Sequence, residues 1–118
     1  MLQYIPMNTH ELKLATQPFE AIRSGMKTIE SRLFDEKRQT IQPGDEIIFT
    51  NRENPSETLT VRVVGLLRYA SFKDLFSNYD PQKFGGETIE GLLVQVREFY
   101  PEDEELEYGV VGIQLQLK

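Results

Sequence analysis

Five stretches of this 118-residue chain alternate apolar and polar residues, and most neighbouring ones are separated only by short turns. The clearest is TLTVRVVGLL, where Leu59, Val61, Val63 and Leu67 face one way and Thr60, Arg62 and Val64 the other. HELKLAT puts Leu12 and Leu14 on one face. KTIESRLF puts Ile29, Ser31 and Leu33 on one face and Thr28, Glu30, Arg32 and Phe34 on the other. QPGDEIIF turns at Pro43 and Gly44 before Ile47, Ile48 and Phe49, and YGVVGIQLQL alternates Val111, Ile113, Leu115 and Leu117 with Gly112, Gln114 and Gln116. A period of two is a strand period, and several strands on short turns make a sheet whose edges need closure or cover.

Helical spacing fills the gaps. In QPFEAIRSG, Thr16 or Gln17 can cap, Pro18 suits the first turn, Phe19 and Ile22 share a face, and Gly25 stands where a helix stops. SFKDLFSNY has a Ser cap with Phe72, Leu75 and Phe76 on one face. GGETIEGLLVQVREFY sets Ile89, Leu92, Leu93 and Val96 on another, and an acidic turn follows Pro101. The order is strand, helix, three strands, two helices, strand. It predicts one α+β domain over residues 1–118, a small, mixed and mostly antiparallel β-barrel with peripheral helices. A chain of this length buries about two thirds of its unfolded surface and needs no staple.

There are no cysteines, which excludes disulfides, Cys-type zinc or Fe–S sites and thiol catalysis, and suits a reducing compartment. MLQYIPMNTHELKL carries no basic region followed by a long apolar run, and no window nears the ~20 apolar residues of a membrane span. A cytoplasmic protein without a membrane partner is expected. The net charge of −6 disfavours long duplex nucleic acid held by the overall field. Arg23 to Arg38 nevertheless holds five basic residues against three acidic, while Glu98 to Glu107 holds six acidic and none basic. Such runs are either solvated faces or a local basic site for a short anionic ligand.

GMKTIESRLFDEKRQTIQPGDEIIF concentrates the chemistry. Glu30 and Arg32 point the same way from a strand, and Lys27 stands at its entrance. Two readings fit: an exposed cross-strand ion pair worth about 0–1 kcal/mol, or a convergent site whose cations donate and whose carboxylate accepts. His10, the only histidine, is a cleft or phosphate contact, or a satisfied surface side chain. Tyr108 and Tyr69 are stacking aromatics or rim packing. One histidine without cysteine gives no zinc set, and a magnesium-dependent nuclease needs Asp35, Glu36 and Asp45 to converge. Neither a phosphate-binding glycine loop, a dinucleotide fingerprint nor a nucleophile elbow is present, so no cofactor is implied.

The same stretch resembles the signature of ASCH domains: G-x-K-x-x-E-x-R, a short charged turn, then G-D-x-I-x-F. Here these are Gly25, Lys27, Glu30 and Arg32, then Gly44, Asp45, Ile47 and Phe49. HELKLATQPFEAIRSG, RVVGLLRYASFKDLF and EYGVVGIQLQL resemble the family's first strand and helix, its strand into a Ser-Phe helix, and its closing strand. The resemblance runs from about His10 to Leu117. It implies a PUA-like fold with a cleft lined by the Lys-Glu-Arg segment, in a superfamily associated with RNA and with modified or flipped bases. The chain is also distantly similar to a bacterial N4-acetylcytidine amidohydrolase with a catalytic Lys-x-x-Thr pattern and a later Glu. That lysine falls on Lys27, the threonine on Glu30, and the later Glu near Gly85 or Gly86, with Glu87 close by.

A carboxylate does not replace a hydroxyl nucleophile without a different intermediate. Glu30 beside Lys27 favours the ammonium, whereas a lysine base or nucleophile must be neutral. The expectation is therefore a site that binds a short RNA segment or a nucleoside-like ligand through Lys27, Glu30 and Arg32. Lys37 and Arg38 extend it to a backbone, and His10 and Tyr108 lie alongside. The alternatives are an amidohydrolase acting on an acylated pyrimidine nucleoside through Lys27 and Glu30, a metal-dependent ribonuclease, and a protein-interaction module docking a basic partner on PEDEELEY.

Overall fold

The computed structural model describes residues 7–118; residues 1–6, on which the reading of the N-terminus partly rests, lie outside the described residues. Each alternating stretch is a strand: β1 Thr9–Leu14, β2 Ile29–Leu33, β3 Glu46–Asn51, β4 Thr58–Tyr69 and β5 Val110–Leu117. They form one sheet in the order β1-β3-β4-β5-β2. Only the β1–β3 pair is parallel. The helices are α1 Thr16–Arg23, α2 Phe72–Ser77, α3 Ile89–Arg97 and α4 Glu102–Tyr108. This is a mixed α+β fold in which a mostly antiparallel sheet curls into a half-barrel, consistent with the PUA-like class. Among the described residues no helix is long and apolar enough to cross a membrane.

The sheet's curl divides the apolar residues between two cores. Leu12, Ile47, Phe49, Val61, Val63 and Ile113 fill the barrel interior. Ile29, Leu33 and Val110, on the outer face, pack against Phe72, Leu75 and Phe76 of α2 and Leu92 of α3. Close approach of α2 requires Gly112. A Cβ there would lie 3.0 Å from both Leu75 Cδ1 and Ile29 Cγ2.

The structure revises four local expectations. First, Leu67 does not share a face with Val61 and Val63. The β4–β5 register shifts between Val63 and Gly65, so Val64 is an extra, half-exposed residue. The phase flips there: Leu66 packs into the barrel, Leu67 and Tyr69 against the helices. Second, α1 is preceded by Ala15 and has no side-chain cap, although Ser71 does cap α2 through the Asp74 N–H. Third, the acidic turn is helix α4. Carboxylates in a first turn complement the helix dipole, and Glu105 is buried, accepting from the Phe72 N–H at 2.8 Å and from Arg97 at 3.2 Å. Fourth, β1 and β2 are the two edges, and among the described residues no backbone ladder joins them. Arg32 on β2 instead donates through Nη2 to the Lys13 carbonyl of β1 at 2.9 Å. The barrel seam is fastened by a side chain.

Candidate functional site

Glu30 and Arg32 lie on the face of β2 that points into the barrel, since their cross-strand partners Ile113 and Val111 are interior residues. That face opens at the seam. After α1 the Lys27 N–H donates to the Ala21 carbonyl at 3.0 Å, which turns the chain back toward β2. The Lys27 stem then runs over Gly85, whose φ is +86° and whose Cβ, were there one, would sit 3.1 Å from Lys27 Cδ. So guided, Lys27 Nζ reaches Glu30 Oε1 at 2.7 Å. Arg32 Nε donates to Glu30 Oε2, also at 2.7 Å. Glu30 is only 4% exposed. Burial alone would raise its carboxyl, but the charges and hydrogen bonds of Lys27 and Arg32 outweigh this and hold it at about 2.

This triad lies at the wall of a cleft of about 390 Å³ between α1 and α3, within the usual range for small-ligand sites. Phe84, Leu92, Val96 and Tyr100 give it an apolar side, and Phe99 forms part of its lining while remaining 59% exposed. Tyr100 stacks on Phe72 with centroids 5.6 Å apart. Burial pushes its hydroxyl upward more than the nearby Arg32 and Arg38 lower it.

A second depression, of about 420 Å³, adjoins the cleft; Lys13, Arg32 and Arg52 line both. Lys37 and Arg38, on the turn after β2, complete it, and Glu11 is its one acidic wall residue. Arg38 is fixed by Asp35, Nη1 to Oδ2 at 2.8 Å.

Of the residues singled out in the sequence, Lys27, Glu30 and Arg32 are brought together in one cleft, and Lys37 and Arg38 beside it. His10 lines neither cavity. Its Nε2 is 2.8 Å from Asp45 Oδ2, and Asp45 also accepts the Asn8 and Gln42 N–H groups. Burial opposes ionisation of Asp45, yet these bonds hold its carboxyl below the ordinary value. The pair clamps β1 to the start of β3. Tyr108 also lies off the cleft. It donates to Glu36 at 3.2 Å, and Glu107 and Glu36 together push its hydroxyl up to about 12. Tyr69 meets Tyr79, hydroxyl to hydroxyl at 3.1 Å, and Glu87 is exposed outside the cleft lining. Asp35, Glu36 and Asp45 each serve a different partner, and among the described residues no group of three His, Asp or Glu side chains is placed to hold a metal. The sequence reading missed Lys13, Arg52, Phe99 and Tyr100. Only the FYP that ends the long helical pattern hinted at the last two.

The profile of the family described as ASCH domain matches residues 12–118. The crystal structure of hypothetical protein PH0355 is 38% identical with a TM-score of 0.83, covering 93% of this chain and 99% of that one. The solution structure of protein PF0455 from Pyrococcus furiosus is 35% identical with a TM-score of 0.74, covering 92% and 96%. ASCH from Zymomonas mobilis, at 16% identity and a TM-score of 0.56 over 90% of this chain and 65% of that one, shares the fold. No curated protein matches the chain. A family match running from β1 to the last residue, over a fold that two relatives above one third identity share nearly end to end, places the chain in the ASCH domain family.

Proposed function

We propose that the cleft binds one base of a short RNA segment, or a nucleoside-like ligand. One observation carries this reading: a buried carboxylate at a barrel-interior position, clamped between two cations. Such a triad is a poor device for stability, because well-packed apolar residues usually serve as well or better. Its use lies in what it offers a ligand. Glu30 is ionised and accepts only, so it suits a ring amino group. Lys27 and Arg32 donate to ring carbonyl or nitrogen acceptors. Lone anions are disfavoured by Glu30, whereas a flat, neutral ring with both donors and acceptors suits all three. Phe99 and Tyr100 supply aromatic surface beside it. Nothing in the geometry favours the amidohydrolase reading: Lys27 is engaged with Glu30, and no hydroxyl stands at position 30.

Calorimetry and fluorescence anisotropy against nucleosides and short RNAs test the proposal. Lys27→Ala should weaken the best ligand at least tenfold. Phe99→Ala should cost about 1–3 kcal/mol of binding through lost stacking, with an unchanged melting temperature because the side chain is exposed. A panel in which no ligand responds to Lys27→Ala overturns the reading.

A further inference from the structure

We infer that the basic depression beside the cleft is a phosphate subsite, so that the ligand class is nucleotides rather than free nucleosides. The subsite deepens the reading above, on which the base-in-cleft part of the ligand rests. The first ground is charge. Five cations and a single carboxylate line the depression in a chain whose net charge is −6. Lys13, Lys37 and Arg52 are exposed there and form no salt bridge with any described residue. Salt bridges hold only Arg38, to Asp35, and Arg32, to Glu30. Three exposed cations facing one concavity repel one another unless an anion joins them.

The second ground is independent of charge. Arg38 Nε is buried and has no hydrogen-bond partner among the described residues. A buried charged donor without an acceptor is costly, and this one belongs to a guanidinium already fixed by its bond to Asp35. Phosphate supplies acceptor oxygens that match the guanidinium fork and can meet several cations at once.

The third ground is position. Arg32 lines both cavities: its Nε serves Glu30 and its Nη2 serves the Lys13 carbonyl. Arg32, together with Lys13 and Arg52, therefore stands between the cleft and the depression. A base contacting Glu30 would have its sugar cross the seam near Arg32 and its phosphate among Lys13, Lys37 and Arg38.

The test compares each nucleoside with its 5′- and 3′-monophosphates, and titrates inorganic phosphate separately, all by calorimetry at fixed ionic strength. One monophosphate of a pair should bind at least tenfold tighter than its nucleoside. The double variant Lys13→Gln with Lys37→Gln should bring that ratio close to one while the melting temperature stays put, since both side chains are exposed. Should nucleosides bind and phosphate add nothing, the subsite is overturned and the cleft reading stands. Should phosphate and the monophosphates bind through Lys13 and Lys37 while Lys27→Ala has no effect, the subsite stands and the cleft reading falls. Absence of all binding overturns both.

Discussion

Glu30 sits opposite Ile113, a fully buried residue of the barrel core, so a carboxylate occupies a place suited to a hydrocarbon. Its two cations offset that burial. Glu30→Gln should therefore cost about 3–5 kcal/mol in urea denaturation, because Lys27 and Arg32 are left buried without a counter-charge. Replacing all three residues with Met, Leu and Met should cost less than this single change. Acid separates the variants further. The Glu30 carboxyl sits at about 2 against an ordinary 4.5. As pH falls, the unfolded chain takes up this proton first, so the stabilisation is complete above about pH 5 and drains away between about 4.5 and 2. Roughly 3 kcal/mol follows from a shift of that size. Wild type should lose it over that window and Glu30→Gln should not; equal acid sensitivity would refute the assignment. At this scale the sequence was informative. Strict alternation put Glu30 and Arg32 on one face, and a spacing of three put Lys27 within reach. That the face points inward was not legible, since charged residues usually mark a solvent face.

Strand β4 carries the clearest pattern in the chain and also hides the largest local error. Val63–Val64 and Leu66–Leu67 are both apolar pairs, so the sequence reads equally well in either phase, and the one mark of the bulge between them is Gly65. Its role is to serve two cores with one strand: Val61, Val63 and Leu66 inside the barrel, Leu67 and Tyr69 under the helices. Deleting Val64 would restore a regular ladder with every one of these side chains still on its own face, since Val63, Gly65 and Leu66 would then alternate in, out and in. The expected loss is therefore modest, on the order of 1 kcal/mol, with a cooperative transition in the far- and near-ultraviolet dichroism melts. A deletion variant that failed to fold cooperatively would mean that the bend the bulge puts into β4 is itself indispensable. Helix α4 escaped for a different reason. Its run of like charges argues against helix on pairwise repulsion, while the dipole at its first turn and the buried hydrogen bonds of Glu105 argue for it. Only the second arrangement needs the tertiary structure to be visible.

Across the whole molecule, the acidic body and the basic depression make opposite demands on a polyanion. A ligand with one or two phosphates in the depression should show a salt dependence near −0.7 per phosphate in log–log form. We expect a slope of about −1 for a short single-stranded RNA, measured by anisotropy across a range of potassium chloride. Anything steeper than about −3 would mean an extended backbone track that this surface does not offer. The site's outline could not be assembled from sequence because its parts come from positions 13, 27 to 38, 52 and 99 to 100, which only the sheet order brings together. That order has one more effect. Strands β3, β4 and β5 each have two neighbours, whereas β1 and β2 have one apiece and, among the described residues, are joined by no backbone ladder but by the hydrogen bond from Arg32 to the Lys13 carbonyl. Such a ring should open first at its clasp. Amide protons of β1 and β2 should exchange with deuterium well ahead of those in the three inner strands. A ligand seated across the gap should slow that exchange on both sides at once, which makes the time constant of the clasp a reporter of occupancy.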